Sequence, residues 1–322
     1  MRLRSLEHLF FSVFYVALFL CLPLKLLSVS PPFAGTLPWM TGPLLTPSAR
    51  IIPPGHVNLE PYLFYRDTNG DYNAHWKVEK RPHFYRITPL LNIKAGIYER
   101  ISLSCILQWE YKHTQHVSGS GFGDLPLGID IQLIEDKKDN IPVKFSIIEI
   151  FPTGKYQHLS PSKLKTDASG NGSFITVLAM TMSKLFYFQG EHYLNARLNI
   201  ATSFPAQFTV KGFNLYGGYP DARGKVLLGK EFSMLCSAEY SFTRNWVFAI
   251  DLAGQFVGKT CVTGYPKSLR PHLPSRASIS IAPAIEYNFN KDVGIIVGSW
   301  FTLAGRNSQR FLSTVGALNW YF

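Results

Sequence analysis

The sequence predicts an all-β fold, a transmembrane antiparallel up-and-down β-barrel of about twelve strands. Three observations carry that prediction. Apolar side chains recur with period two along most of the chain, the repeat of a strand rather than the 3.6 of a helix. The connections between these runs alternate long and short. Past the N-terminal thirty-odd residues no stretch approaches the roughly 20 apolar residues of a membrane helix, yet the chain is rich in apolar and aromatic residues. A closed sheet satisfies every backbone group without water, so such a chain can still span a membrane.

Arg2 and Arg4 precede an apolar run from Leu9 to Leu27, broken only by Ser12, Pro23 and Lys25. This predicts a secretory signal peptide over residues 1–35, with cleavage between Ser28 and Thr36, the alternative being an N-terminal membrane anchor. Residues 36–56 (TLPWMTGPLLTPSARIIPPGH) are proline-rich and suit neither a helix nor a central strand. They are expected to lie in the periplasm or to fold into the lumen as a plug. Residues 57–322 are expected to form the barrel.

Strands are predicted near 57–66, 84–95, 99–111, 124–135, 142–152, 173–187, 191–203, 225–242, 246–259, 276–289, 292–304 and 310–322. Trp246, Phe248, Ile250, Leu252 and Phe256 share one face while Asp251 and Gln255 take the other. Leu103, Cys105, Leu107, Trp109 and Tyr111 likewise oppose Ser102, Ser104, Gln108 and Glu110. A soluble sandwich alternates in the same way, so the connections discriminate. Predicted loops at 67–83, 112–123, 153–172, 204–224 and 260–275 alternate with turns near 96–98, 136–141, 188–190, 243–245 and 290–291. Short turns on one side and long loops on the other are the habit of membrane barrels. Aromatics such as Tyr65, Tyr85, Tyr187, Trp246 and Phe289 cluster toward strand ends, as interfacial girdles do.

Composition agrees. The chain is 46% apolar, 14% aromatic and only 16% charged, as expected when one surface faces lipid. The formal charge is +11. The bases fall mostly in the predicted outer loops, where they would meet water or lipopolysaccharide phosphates. They are scattered, with no nucleic-acid-binding module. No zinc spacing, phosphate loop or dinucleotide fingerprint is present, so neither cofactor nor metal is expected.

The ending Ala317-Leu318-Asn319-Trp320-Tyr321-Phe322 resembles the terminal strand of bacterial outer-membrane barrels. The resemblance implies that Leu318, Trp320 and Phe322 form a recognition signal for the barrel-assembly machinery. Three further stretches resemble the outer-membrane transporter family named for the meta-pathway of phenol degradation. They are Ile52-Pro53-Pro54-Gly55 through Glu60, Gly121-Phe122-Gly123-Asp124 with Leu127-Gly128, and Pro152-Thr153-Gly154. This resemblance implies a barrel and transport in the outer membrane of a Gram-negative bacterium, without fixing the solute. The same motifs also have a purely structural account. The glycines would let the chain turn into the membrane, Asp124 would cap that turn, and Pro152-Thr153-Gly154 would end a strand.

The polar faces carry the acids Glu60, Glu110, Asp130, Glu231, Glu239, Asp251 and Glu286 and the bases Arg86, Lys94, Lys144 and Arg197. Ionisable groups at membrane depth are costly unless they meet water or partners. They are therefore expected to line the lumen, giving it a mixed, mildly acidic surface. Either they pair across a filled interior and brace it, or they line a wet path and bias which solutes pass. The expected function is a passive channel or facilitated transporter for small solutes, hydrophobic or aromatic ones included. The partners expected are outer-membrane lipid, lipopolysaccharide and the solute. A structural or adhesive barrel acting through its loops is the alternative. A barrel enzyme would need a histidine beside a carboxylate, and His113 and His116 with Asp124 are the nearest approach to one. No enzyme is expected.

Overall fold

The computed structural model describes residues 39–136, 140–189, 192–264 and 273–322. The predicted signal peptide lies outside the described residues. In chain order the strands begin with β1 (Val57–Tyr72), β2 (Val78–Tyr98), β3 (Ile101–Thr114), β4 (Val117–Phe122), β5 (Leu125–Ile134) and β6 (Val143–Phe151). Next come β7 (Ile175–Gln189), β8 (His192–Pro205), β9 (Phe208–Lys211), β10 (Arg223–Leu227) and β11 (Glu231–Ser241). The chain continues with β12 (Trp246–Val257), β13 (Cys261–Thr263), β14 (Arg276–Asn288), β15 (Val293–Arg306) and β16 (Ser308–Tyr321).

All strands except β4, β9, β10 and β13 form one antiparallel barrel, each paired with its neighbour in sequence. The barrel closes by pairing β1 with β16, for example Tyr62 opposite Ala317. At the seam Val57 N donates to Phe322 O at 2.7 Å and Phe322 N to Val57 O at 3.0 Å. Each of the twelve predicted strands has its counterpart.

The outer loops depart from the prediction. Residues 67–83 are mostly strand, because β1 and β2 continue into a hairpin. Its turn is tied by Asn73, whose Oδ1 accepts from His75 N and Lys77 N. Residues 112–123 hold the end of β3 and the whole of β4, which pairs with it. The predicted strand 225–242 is two strands. β10 leaves the barrel to join β9 and β13 in a small separate sheet, and only β11 belongs to the wall. Val226 is fully buried in that small sheet's own core with Val210, Tyr216, Ala222 and Val262. Period two cannot show that a strand has changed sheets.

Along the barrel, burial alternates residue by residue. Leu63, Leu103, Leu107, Ile129, Val297, Leu303 and Leu312 are exposed, while their sequence neighbours turn inward. Exposed aromatics mark both ends of the wall. Tyr98, Phe242, Trp246, Phe289, Trp320 and Phe322 sit at the short-turn end, and Tyr65, Phe122, Phe174 and Phe204 at the long-loop end. Apolar bands bounded by aromatic rings are the outer surface of a membrane barrel. Tyr187 is not in a girdle: it is buried against the ring of its cross-strand partner Tyr193, centroids 5.0 Å apart.

Candidate functional site: the barrel interior

The inward face of the wall carries three groups of polar side chains. The first is self-contained. Glu60 on β1 accepts from Lys94 Nζ at 2.9 Å, and also from Asn58 and Asn92. Asp130 on β5 pairs with Lys144 on β6 at 3.4 Å and accepts the Ser146 hydroxyl. Glu239 on β11 pairs with Arg197 on β8 at 2.7 Å and accepts from Asn195 Nδ2. Register explains this grouping. Residues opposite or diagonal on adjacent strands share a face at contact distance, and Asn58 faces Lys94 while Glu239 faces Asn195.

In the second group the partners come from residues 39–51. Asp251 on β12 accepts from Thr46 Oγ1 at 2.6 Å, Thr46 N at 3.0 Å and Leu45 N at 3.2 Å. Glu286 on β14 accepts from Thr41 N at 2.9 Å. Asn288 binds Thr41 Oγ1 at 2.8 Å and donates to Trp39 O at 3.0 Å. Gln132 on β5 accepts from Ile51 N and donates to Ala49 O. The Arg244 guanidinium lies 4.4 Å from the centre of the Trp39 ring.

An apolar seat accompanies these bonds. Leu44 is buried against Ala249, Ala282, Ala284, Ile296 and Val315 on β12, β14, β15 and β16. Small residues make the room. A Cβ on Gly298 would stand 2.8 Å from Leu44 Cδ1, and one on Gly294 2.1 Å from Thr41 Oγ1. Sequence reasoning missed this seat. Its signal was the placing of Ala and Gly at inward positions where other strands carry Glu, Lys or Arg.

The third group lies toward the long-loop end. Glu110 on β3 pairs with Lys112 Nζ at 2.6 Å and with Arg86 on β2 at 3.4 Å. Arg66 on β1, opposite Arg86 in the ladder, packs its guanidinium over Phe311 at 4.1 Å and Trp300 at 4.6 Å. Sequence analysis overlooked Arg66 and Lys112, which stand at the last residue of one predicted strand and just past the end of another. With them the acids and bases are closer to balance than predicted, and three of the six bases, Arg66, Arg86 and Lys112, gather at one end. Glu231 accepts from Gln255 Nε2 at 2.6 Å.

Two of the interior cavities flank the N-terminal segment. One, of about 310 Å³, lies between residues 41–48 and the wall that carries Glu60, Lys94, Asp130, Lys144 and Arg197. The other, of about 890 Å³, is lined by Arg66, Arg86, Glu231, Arg276, Trp300 and Phe311 among others. Leu45 lines both, so the N-terminal segment stands between them.

The sequence motifs come together away from these cavities. Asp124 does not cap its own turn. Its carboxylate accepts from Gly154 N at 3.0 Å and Asn171 N at 2.7 Å, and Thr153 Oγ1 donates to Gly123 O at 2.9 Å. The GFGD and PTG stretches thus clasp the loop between β6 and β7 to the end of β4. Burial lifts the Asp124 carboxyl above its ordinary value, and the two backbone N–H groups oppose that rise. Neither His113 nor His116 is a hydrogen-bond partner of Asp124. His113 stacks on Tyr85, and His116 sits in the β3–β4 turn with φ of 66°. The pair a barrel hydrolase would need is not assembled there.

At the other end, the rings of Trp320 and Phe322 lie exposed, with centroids 5.4 Å apart, and Leu318 pairs with Ile295.

No protein-family model and no curated sequence matches this chain. Solved structures do. An outer membrane channel from Pseudomonas putida F1 superposes with a TM-score of 0.67 at 15% identity, over 85% of this chain and 98% of that one. The NanC porin aligns with a TM-score of 0.44 at 12% identity, over 81% of this chain and 98% of that one. The toluene transporter of Ralstonia pickettii aligns with a TM-score of 0.41 at 11% identity, over 93% and 98%. At these identities the first likeness supports the fold, a closed twelve-stranded antiparallel β-barrel, and the other two add nothing to it.

Proposed function

We propose that this chain is a passive outer-membrane channel or facilitated transporter for small solutes, held partly closed by its own N-terminal segment. The observation that carries the proposal is the division of the interior. A closed, lipid-compatible barrel encloses two polar cavities, and residues 39–48 separate them through hydrogen bonds to Asp251 and Glu286. An ion-paired wall without cavities would favour a brace. Cavities on both sides of a removable segment favour a path.

In this reading Glu60, Lys94, Asp130, Lys144, Arg197 and Glu239 line the inner reach of the path. Arg86, Glu110 and Glu231 line the outer reach, and Asp251 and Glu286 hold the segment. Leu318, Trp320 and Phe322 act as the assembly signal, the outer face meets outer-membrane lipid, and the basic loops meet lipopolysaccharide. No catalytic role is assigned. Likeness to channels and the engagement of Asp124 with backbone donors both count against one.

The test is single-channel recording on refolded mature protein in a planar bilayer. We expect small conductance steps that grow when residues 39–48 are deleted. Silence from both forms, with the barrel folded by circular dichroism, would refute the channel.

A further inference from the structure

The outer cavity is built differently from the rest of the interior. Elsewhere each inward base has a carboxylate of its own. Here the lining bases Arg66 and Arg86 have one carboxylate near them, Glu110, which stands behind the lining and is shared with Lys112. Among the described residues Arg66 has neither an ion pair nor a hydrogen bond, only the rings of Trp300 and Phe311. Arg86 Nε is buried without an acceptor, while the Arg66 guanidinium faces the cavity. Unmatched guanidinium N–H groups at membrane depth are expensive unless something accepts from them.

The guanidinium of Arg66 is also held in place. Trp300 is pinned by its Nε1 donating to Ser280 Oγ at 2.9 Å, and it meets Phe311 edge to face at 4.9 Å. Against these two rings the fork loses little freedom when it binds. A planar fork of N–H donors matches a carboxylate bidentately. The cavity supplies more. Leu45, Leu235 and Ala253 offer an apolar side, and Arg276 is a further cation. Its two carboxylates are engaged, Asp71 by Arg81 and Glu231 by Gln255. At about 890 Å³ it lies within the size range of small-ligand sites.

We propose that this vestibule is a binding site for a small planar organic anion, an aromatic carboxylate, with Arg66 as the residue that takes the carboxylate. The inference rests on the channel reading for its biological sense, but the site itself needs only equilibrium binding. A cation would be repelled by Arg66 and Arg86, and a neutral sugar could accept from them but would bring no charge to balance theirs. A purely apolar solute would leave their donors unmatched.

Benzoate is the probe, with benzamide as the uncharged ring and acetate as the ringless anion. Binding is measured by ligand-observed NMR on the refolded mature protein in detergent, and solute entry by liposome swelling on the same preparation. Benzoate is expected to bind at least about tenfold tighter than either control, the value of one charge-assisted hydrogen bond. Arg66→Gln should remove that preference. Arg66→Lys, which keeps the charge but loses the fork, should retain only part of it. Equal binding of benzoate and benzamide, or benzoate binding unchanged in Arg66→Gln, would overturn the site. So would Arg66→Lys binding benzoate as wild type does, since a point charge would then suffice. Swelling with a neutral sugar but no benzoate binding defeats the site and spares the channel. Benzoate binding without swelling does the reverse. Heat-modifiable migration on gels verifies that each variant is folded.

Discussion

Two sets of buried carboxylates share this interior, and they are satisfied in different ways. Glu60, Asp130 and Glu239 take their cations from neighbouring strands, Lys94, Lys144 and Arg197. Asp251 and Glu286 take backbone and hydroxyl donors from residues 41–46. The first set is fixed once the strands pair, because register alone brings the partners together. The second set is complete only while a separate segment sits on it. On the proposed reading the one wall braces the barrel, and the other holds a segment that can be released.

That contrast predicts unequal consequences. Breaking the first set should hurt the barrel most. Arg197→Met strands Glu239, fully buried, without its cation. Loss of about 3–5 kcal/mol is expected, read as a lower midpoint in urea unfolding from lipid. Adding Glu239→Leu should recover most of it. If the single variant were as stable as wild type, the ionic wall would not be a brace.

Removing the segment should do the opposite. Deleting residues 39–48 exposes Asp251 and Glu286 to water rather than leaving them dry. The barrel should keep its unfolding midpoint within about 2 kcal/mol, since no wall ion pair is lost, while conductance rises several-fold. Selectivity should also move toward cations, because two carboxylates enter the path. A deletion that unfolded the barrel would place the segment in the brace instead.

A gentler dislodgement should fall between these. In Gly294→Ala the new methyl would lie 2.1 Å from Thr41 Oγ1 and 2.5 Å from Asn288 Oδ1. The start of the segment must shift, at a cost of about 1–3 kcal/mol. Longer open periods in single-channel records are expected, each open event approaching the conductance of the deleted form.

The sequence displayed the two walls to different degrees. The members of the ionic wall could be picked out, because Glu60, Lys94, Asp130, Lys144, Arg197 and Glu239 fall on polar faces of strands with clear alternation. Whether they pair or line a wet path was not legible, since that depends on which side chains the closed register sets at contact distance. The seat was not legible. Ala249, Ala282, Ala284 and Gly298 signal only that inward space is left open, and nothing local says that Leu44 fills it. That contact joins residues more than 200 positions apart and depends on the barrel being closed first. The outer loops failed for a third reason. β9, β10 and β13 are only three to five residues each, too short for a period to announce itself. The Arg66 site fell between these cases. Its rings come from β15 and β16, brought beside β1 by closure, so the guanidinium stack had no trace in sequence spacing.

The smallest change sharpens the comparison furthest. Thr46→Val keeps shape and volume and removes one donor, the hydroxyl at 2.6 Å from Asp251 Oδ1. The backbone donors Thr46 N and Leu45 N remain. Loss of one such hydrogen bond to a charged acceptor is worth about 1.5–3 kcal/mol at most, and the remaining donors should hold the net effect to about 1 kcal/mol. Global stability should scarcely change. The ratio of open to closed time should rise about fivefold, since 1.4 kcal/mol corresponds to tenfold in an equilibrium. Thr46→Ser, which retains the hydroxyl, should gate as wild type does. If Val lowered the unfolding midpoint and left gating unchanged, Asp251 would belong with Glu239 in the brace, and the division of the interior into a fixed wall and a releasable one would be lost.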